Sequence, residues 1–216
     1  GIVYEAGNID TRKFLDSSRN YFIKHHSYLE EKFSFDHLTV NPDKIAYREN
    51  TANTITFCEG HLIKDNSYFN YLPFKPAKGE VLTIFCEDLN TDFILNKGVF
   101  ILPLGDNLYR VGATYNWDDT TDIPGEKGKQ ELLQKLSKLI PYKYEIINYE
   151  AGVRPSTIDR RPVIGSHPVY RNVNVFNGFG TKAVMLAPHF ARKFVSYLKN
   201  KIPLDAEVDC NRFYTK

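Results

Sequence analysis

Cysteine is scarce in this chain, and its placement argues against two common kinds of structure. The three cysteines, Cys58, Cys86 and Cys210, are odd in number and widely spaced. They form no C-x-x-C pair, so neither a disulfide framework nor a cysteine metal site is indicated, and reduced thiols in a reducing compartment are expected. His25 and His26 are adjacent and belong to no H-E-x-x-H pattern. We therefore expect no metal site and a cytoplasmic location.

An excess of charge of one sign and long apolar runs are also missing. The 28 Lys and Arg residues nearly balance the 26 Asp and Glu residues, for a net charge of +2, and the basic residues are scattered. This balance disfavours nucleic acid and anionic membranes as partners. No apolar run approaches the length of a membrane span. Aromatic residues, in contrast, make up 14% of the chain, which favours a β-rich fold.

Most of the chain alternates between apolar and polar residues in short runs, as the strands of an antiparallel sheet do. "GVFILPLG" and "NLYRVGATYNW" are joined by a Gly-Asp-Asn turn that favours a hairpin. Strands are predicted at residues 32–40, 44–50, 53–60, 79–87, 92–96, 98–105, 107–117, 142–155 and 172–176. The opening "GIVYEAG" also has the pattern of a strand and begins without Met. Either the terminus is processed, or the chain is the later part of a longer protein.

Three segments have helical spacing of apolar residues. Residues 8–25 include Asp10 as a plausible N-cap. Residues 125–141 carry a leucine-rich side and end at Pro141. A third helix follows residue 182, and the polar tail from Ile202 is expected to be extended. The pattern predicts an α+β protein, with two interleaved domains between which the chain crosses more than once.

One turn has the spelling of a dinucleotide-binding loop. Gly178, Gly180 and Ala183 form G-x-G-x-x-A between a strand and a helix. A pyrophosphate site also needs a second parallel strand with an acidic residue, and "IPLDAEVDC" is too short and polar to supply one, so we reject that role. Two interpretations remain. The turn lays backbone against a flat ligand beneath a helix N-terminus, or glycine simply avoids a clash there.

Five segments together resemble the D-amino-acid oxidase superfamily, most closely its glycine oxidase and sarcosine oxidase branch. The first two, "AGVRPSTIDRRPVIGSHP" and "NVNVFNGFGTKAVMLAPHFARKFVSYL", are similar to two motifs near the C-terminus of that family. "GVFILPLGDNLYRVGATYNWDD" is similar to its substrate-domain hairpin. "TFCEG" followed by "LPFKPAKGE" resembles the point at which the family's chain leaves the flavin domain.

The resemblance implies an antiparallel mixed-sheet substrate domain interleaved with the C-terminal part of an α/β FAD-binding domain. The implied substrate-domain segments are 1–30 and 63–150, the implied FAD-domain segments are 31–62 and 151–201, and residues 202–216 form a tail. The family's own G-x-G-x-x-G loop for the ADP part of FAD would precede Gly1. We therefore expect this chain to lack that part of the cofactor site.

The resemblance also implies site residues. Arg154 would hold a substrate carboxylate, although an ion pair with Glu150 or Asp159 is an alternative. Phe100 falls where a tyrosine is common in the family, so Tyr109 or Tyr115 would substitute for it, or the substrate differs. Residues expected to line the flavin are Gly60, Gly178, Phe179, Gly180, Thr181, Lys182, Ala183, Val184 and Met185.

Two further side chains, Arg160 and Trp117, have surface interpretations. Arg160 departs from the family pattern, and we expect it to be a solvated charge. Trp117, with Tyr115, either flanks the pocket entrance or lies on the surface of the hairpin.

The implied function is FAD-dependent oxidation of a small amino acid or secondary amine. Hydride would pass from the α-carbon to flavin N5, giving an imine without a catalytic side chain. A modified tRNA base is a less favoured substrate because the net charge is small. The alternative from another class is a non-catalytic fragment or interaction domain that does not bind FAD alone.

Overall fold

The computed structural model describes residues 1–214, which form three small sheets and three α-helices. The fold is mixed α+β with antiparallel sheets, as the sequence pattern predicts. The chain divides into two compact units, residues 1–53 and the residues from Thr54 onward. No helix within residues 1–214 has both the length and the apolar character needed to cross a membrane.

The first unit contains one helix and one small antiparallel sheet. Helix α1 spans Thr11–Lys24, and Asp10 Oδ1 accepts a hydrogen bond of 3.0 Å from Lys13 N, which confirms the predicted N-cap. The strands, in the order in which they pair, are β1 (Leu38–Asn41), β2 (Lys44–Tyr47) and β3 (Asn50–Ala52). The strand predicted at residues 1–7 is wrong. No strand among the described residues pairs with this segment, and an isolated extended segment is not a stable strand.

The second unit is built around a five-stranded antiparallel sheet. Its strands are β5 (Ala77–Phe85), β6 (Leu95–Asn96), β7 (Phe100–Gly105), β8 (Leu108–Gly112) and β9 (Glu145–Arg154), in the order β6-β7-β8-β5-β9. Asp106 and Asn107 connect β7 to β8 with φ of 51° and 57°, which confirms the predicted tight hairpin.

The two faces of this sheet have different surroundings. Helix α2 (Glu126–Ser137) covers one face, where Leu132 and Leu136 pack against Leu82 and Val111 in a buried core. The strand register shows on which face of the sheet the other residues lie, because directly paired residues share a face. Phe100 pairs with Gly112, which pairs with Val81, so these residues lie on the face opposite to α2.

A second, three-stranded sheet combines distant parts of the chain. Strand β4 (Ile55–Phe57) runs parallel to β11 (Val173–Asn177), which pairs antiparallel with β10 (Val163–Ser166). Helix α3 (Ala183–Asn200) contributes Phe194 to the core beside this sheet. The sequence analysis missed β10 because the surrounding segment is dense in Pro, Gly and Arg. All four of its residues are nevertheless buried.

The prediction of an extended polar tail is wrong for the described residues. Leu204, Val208 and Cys210 are buried, and the Ile164 N–H donates to the Val208 carbonyl at 2.8 Å. A 3-10 helix, Cys210–Phe213, follows. The three apolar side chains are spaced irregularly, so no periodic pattern marked the segment as packed. Lys216 lies outside the described residues.

Candidate functional site

The glycine turn after β11 is fixed by hydrogen bonds from Asn177. Its Oδ1 accepts from the Gly178 N–H at 2.8 Å, and its Nδ2 donates to the Gly60 carbonyl at 2.9 Å. Gly60, Gly178 and Gly180 have φ of 60°, 80° and 53°, in the left-handed region that favours glycine. The amide of Asn177 thus joins the two backbone segments that the sequence analysis assigned to the cofactor.

The glycines differ in what surrounds them. A Cβ on Gly178 would lie 2.9 Å from Val163 Cγ2 and 3.1 Å from the Val163 backbone N, and one on Gly180 would lie 3.1 Å from Ser156 Oγ. Close packing within the protein, together with the positive φ, therefore explains both glycines. At Gly60 a Cβ would meet nothing within 4 Å, so its Cα faces open space.

The turn forms one wall of a cavity of about 410 Å³, a volume within the usual range of small-molecule sites. The predicted residues that line it are Gly178, Phe179, Gly180, Thr181, Lys182 and Tyr115. Trp117, Ser156 and Arg160 complete the wall. The cavity thus combines backbone N–H groups, two aromatic rings of one loop and two cations.

Arg154, the last residue of β9, is half-buried beside this cavity. Its guanidinium donates to the Lys78 carbonyl at 3.2 Å and to the Thr114 carbonyl at 3.3 Å, and its Cζ lies 4.8 Å from the centroid of the Tyr115 ring. Burial lowers the pKa of Arg154, but a guanidinium remains protonated at any physiological pH.

Neither acid proposed as a partner for Arg154 pairs with it. Asp159 binds Arg212 at 3.0 Å, and Glu150 lies 3.7 Å from Arg110. Among the ion pairs of residues 1–214, none includes Arg154. The guanidinium is therefore oriented by neutral carbonyls, which leaves its charge uncompensated and able to bind an anion.

Room for the guanidinium depends on a glycine of the neighbouring strand. A Cβ on Gly79 of β5 would overlap the terminal atoms of the Arg154 side chain. Gly152, its partner across β5 and β9, has open space instead. Gly79 thus allows Arg154 to lie flat against the sheet and reach the carbonyl of Thr114.

The loop after β8 brings Tyr115 and Trp117 to the cavity. Their ring centroids are 4.8 Å apart, and Lys75 Nζ lies 4.9 Å from the Trp117 ring. Asn116, between the two aromatic residues, exchanges backbone hydrogen bonds of 2.8 and 3.0 Å with Lys78. The main chain of the loop is therefore fixed to the start of β5.

A buried ionic cluster holds the rest of this loop. Lys78, 3% exposed, donates to Asp119 Oδ2 at 2.6 Å and to the Ile123 carbonyl, and lies 3.6 Å from Glu80. The hydrogen bond with Asp119 is the main cause that raises the pKa of Lys78. The same bond, aided by Thr121, lowers the pKa of Asp119 to about 2. Sequence reasoning missed this cluster because lysine normally indicates a solvent-facing position.

The remaining predicted site residues do not line the cavity. Tyr109 is 4% exposed and packs in the core beneath α2, since it lies on the same face of β8 as Val111. Phe100 is half-buried on the other face. Ala183, Val184 and Met185 are exposed in the first turn of α3, and Gly60 also lies outside the cavity lining.

Two lining residues were not anticipated. Ser156 follows Arg154 and Pro155 directly, so its proximity to the cavity follows from the motif that contains Arg154. Arg160 is exposed, as expected, but it also lines the cavity. Its position in a loop gives no sequence signal for this contact with the cavity.

Comparison with known proteins places these features in one family. A family model described as FAD dependent oxidoreductase (DAO) matches residues 1–197. Glycine oxidase from Bacillus subtilis (strain 168) is 28% identical over 131 residues, which are 59% of this chain and 36% of that protein. The tRNA 5-methylaminomethyl-2-thiouridine biosynthesis bifunctional protein MnmC from Campylobacter jejuni is 23% identical over 216 residues, 99% of this chain and 32% of that protein. The chain thus spans about a third of the length of these relatives.

Solved structures show the same fold. The crystal structure of iminodiacetate oxidase from Chelativorans sp. BNC1 superposes with a TM-score of 0.78 at 19% identity, covering 93% of this chain and 58% of that chain. Glycine oxidase from Geobacillus kaustophilus superposes with a TM-score of 0.62 at 22% identity, covering 76% of this chain and 46% of that chain. With a family model that matches residues 1–197 and a fold shared with these oxidases, the chain belongs to the DAO family of FAD-dependent oxidoreductases.

Proposed function

We propose that the protein to which this chain belongs oxidises a small amino acid or secondary amine, with FAD as the acceptor. When bound, FAD would take a hydride from the substrate α-carbon, leaving an imine that water hydrolyses. The observation that carries the proposal is Arg154, a half-buried guanidinium without an ion-pair partner among residues 1–214, held beside the cavity by two backbone carbonyls.

The residues around the cavity fit the flavin ring end of FAD. Helix α3 follows Gly180–Lys182, and no side chain caps its first N–H groups. Free N–H groups and the positive end of the helix dipole stabilise negative charge. The Cα of Gly60 faces open space, where a flat ring can approach the backbone. On these grounds we assign the backbone of Gly60 and of residues 178–182 to the cofactor.

The pairing of distant strands supports the proposed domain organisation. Strand β4 belongs to segment 31–62 and β11 to segment 151–201, and the two strands are parallel neighbours in one sheet. We therefore keep residues 54–62 with 151–201 in the FAD domain, whereas residues 31–53 belong to the first compact unit. We assign the five-stranded sheet and α2 to the substrate domain at residues 63–150, and β9 continues from it into the FAD segment and ends at Arg154.

In this scheme, side chains bind and orient the substrate but do not take its proton. Arg154 would bind the carboxylate in a bidentate fork, and contact with Tyr115 limits where the guanidinium can turn. Tyr115 and Trp117 would cover the substrate and exclude water. A neutral amine needs no base, which agrees with the absence of Asp, Glu and His among the residues that line the cavity.

Flavin bleaching is the direct test. The full protein, purified with FAD, is mixed anaerobically with glycine, N-methylglycine and D-amino acids while the visible flavin band is recorded. We expect at least one of them to bleach the band. Arg154→Ala should raise KM by roughly tenfold to a hundredfold, the usual cost of one charge-assisted hydrogen-bonded contact, without changing the flavin spectrum.

Arg192→Ala serves as the control, because Arg192 is exposed on α3 and does not line the cavity. It should leave KM unchanged. A full protein that stays colourless with added FAD would support a non-catalytic binding role instead. Unchanged KM in Arg154→Ala would remove Arg154 from the substrate site.

A further inference from the structure

The cavity wall carries positive charge without compensating acid. Of its nine lining residues, Arg160 and Lys182 are cationic and none is Asp or Glu. Arg154, whose guanidinium packs on the lining residue Tyr115, adds a third cation. A cavity with one sign of charge concentrates ligands of the opposite sign.

Two arginines just outside the cavity are neutralised by acids, whereas the two cations in its wall are not. Arg161 lies 3.4 Å from Glu207, and Arg212 lies 3.0 Å from Asp159. Within residues 1–214, Arg160 and Lys182 have no ion-pair partner. The fold thus provides acids for the neighbours of Arg160 but leaves the cavity-facing side chains available to a ligand.

Arg160 also has an unfavourable backbone conformation. Its φ is 58°, in the left-handed region that glycine adopts freely and that a long side chain adopts at a cost. Such outliers concentrate at ligand sites, where the position of the side chain offsets the strain. The conformation is fixed locally, because the Arg160 N–H donates to the Thr157 carbonyl at 3.1 Å.

From these observations we propose that the substrate carries a second carboxylate, bound by Arg160 and Lys182, in addition to the one bound by Arg154. This inference rests on the proposed function. It assigns the site to amino dicarboxylates in preference to simple amino acids such as glycine. Arg160 and Lys182 then determine specificity, because only the diacid brings a second negative charge to these two cations.

Isosteric substrate pairs isolate the second charge. Iminodiacetate is compared with its monoamide, which tests an extra carboxylate on a nitrogen substituent. Glutamate is compared with glutamine, in both enantiomers, which tests an extra carboxylate on a carbon substituent. The wild-type full protein should show a higher kcat/KM for the diacid of at least one pair. Arg160→Gln and Lys182→Gln should each reduce that preference by roughly twofold to fivefold, as expected for exposed cations.

Arg171→Gln is the matched control, because Arg171 is exposed, does not line the cavity, and its loss changes the net charge equally. It should keep the preference. Lack of any diacid preference in the wild type would overturn the inference. Equal losses of kcat/KM for both members of each pair in Arg160→Gln and Lys182→Gln, with an altered flavin spectrum, would also overturn it. The two cations would then face the cofactor.

A binding measurement separates this inference from the proposed oxidation. Diglycolate and methoxyacetate contain no amine, so isothermal titration calorimetry measures their binding without turnover. Tighter binding of diglycolate, lost in Arg160→Gln, supports the inference even if no amine bleaches the flavin, an outcome that would count against the proposed function alone. Equal binding of the two compounds contradicts the inference even if amines are oxidised.

Discussion

Arg154 owes its position to neutral groups rather than to an opposite charge. The carbonyls of Lys78 and Thr114 accept its hydrogen bonds, and Gly79 leaves the volume that its guanidinium occupies. Carbonyls orient a guanidinium without cancelling its charge, so the electrostatic attraction for a carboxylate is retained. The sequence motif could identify the arginine, but it could not show that Glu150 and Asp159 bind other arginines.

Gly79→Ala should impair substrate binding while leaving the fold intact. The atoms nearest to the added Cβ belong to the flexible end of the Arg154 side chain, so we expect a loss of about 1–3 kcal/mol in the free energy of unfolding. The displaced guanidinium should raise KM about tenfold or more. Steady-state kinetics and thermal unfolding measure the two effects.

Gly152→Ala is the control for that substitution, because Gly152 pairs with Gly79 and its added Cβ would meet nothing within 4 Å. Its KM should stay at the wild-type value. Equal KM values for Gly79→Ala and the wild type would show that Arg154 does not need this volume.

At the scale of elements, the loop from Tyr115 to Ile123 is held by buried charge. Lys78 reaches Asp119 and the Ile123 carbonyl from β5, and Glu80 Oε1 accepts from the Gly125 N–H at 2.7 Å. A buried lysine without these partners would be strongly destabilising. The cluster therefore fixes the loop that carries both aromatic residues of the cavity.

Asp119→Asn should loosen this loop in a pH-dependent manner. Because the pKa of Asp119 is lowered to about 2 in the folded protein, from an ordinary value of 3.8, its stabilising contribution is complete above pH 4 and is lost as the pH falls toward 2. We expect a Tm several degrees below wild type at pH 7, and a difference that shrinks below pH 4.

Fluorescence gives a local measurement of the same loop, because Trp117 is the only tryptophan of the chain. Its emission should change in Asp119→Asn at pH 7. Asp118→Asn removes the same charge from an exposed neighbour and should change neither Tm nor emission. A Tm difference between wild type and Asp119→Asn that is constant from pH 7 to pH 3 would contradict the assignment.

At the scale of the whole molecule, the last residues of the chain complete a core formed by earlier segments. Val208 and Leu204 pack with Ile164 of β10 and Phe194 of α3. The Asn211 amide donates to the Ser166 carbonyl at 3.2 Å. The C-terminal segment thus stabilises the sheet and the helix that shape the glycine turn, although it lies outside the cavity.

Val208→Ala should therefore destabilise the protein. Val208 is 2% exposed, and the loss of two buried methyl groups costs about 1–3 kcal/mol in the free energy of unfolding. Denaturant unfolding measures the change. Val169→Ala is the matched control because Val169 is 63% exposed, and it should have little effect. Equal stabilities of the two variants would mean that the tail does not contribute to the core.

Much of the fold could be predicted from local patterns. Alternation indicated the strands of the five-stranded sheet, Asp10 the start of α1, and the Gly-Asp-Asn turn the β7–β8 hairpin. The register of β7 and β8 places Tyr109 and Phe100 on opposite faces, but alternation in the sequence does not show which face a helix covers. For this reason the sequence leaves Tyr109 as a candidate for the site, although it packs in the core.

The sequence alone determined the family, the fold class and the segment that carries Arg154, because these depend on residue order and local spacing. Only the tertiary structure decided which charges are compensated. Arg160 and Arg161 are adjacent in sequence, yet Arg161 lies beside Glu207 while Arg160 faces the cavity. Lys78 likewise has the sequence character of a surface residue and is buried among acids. Electrostatic compensation depends on distance in space, and residues far apart in the chain set that distance.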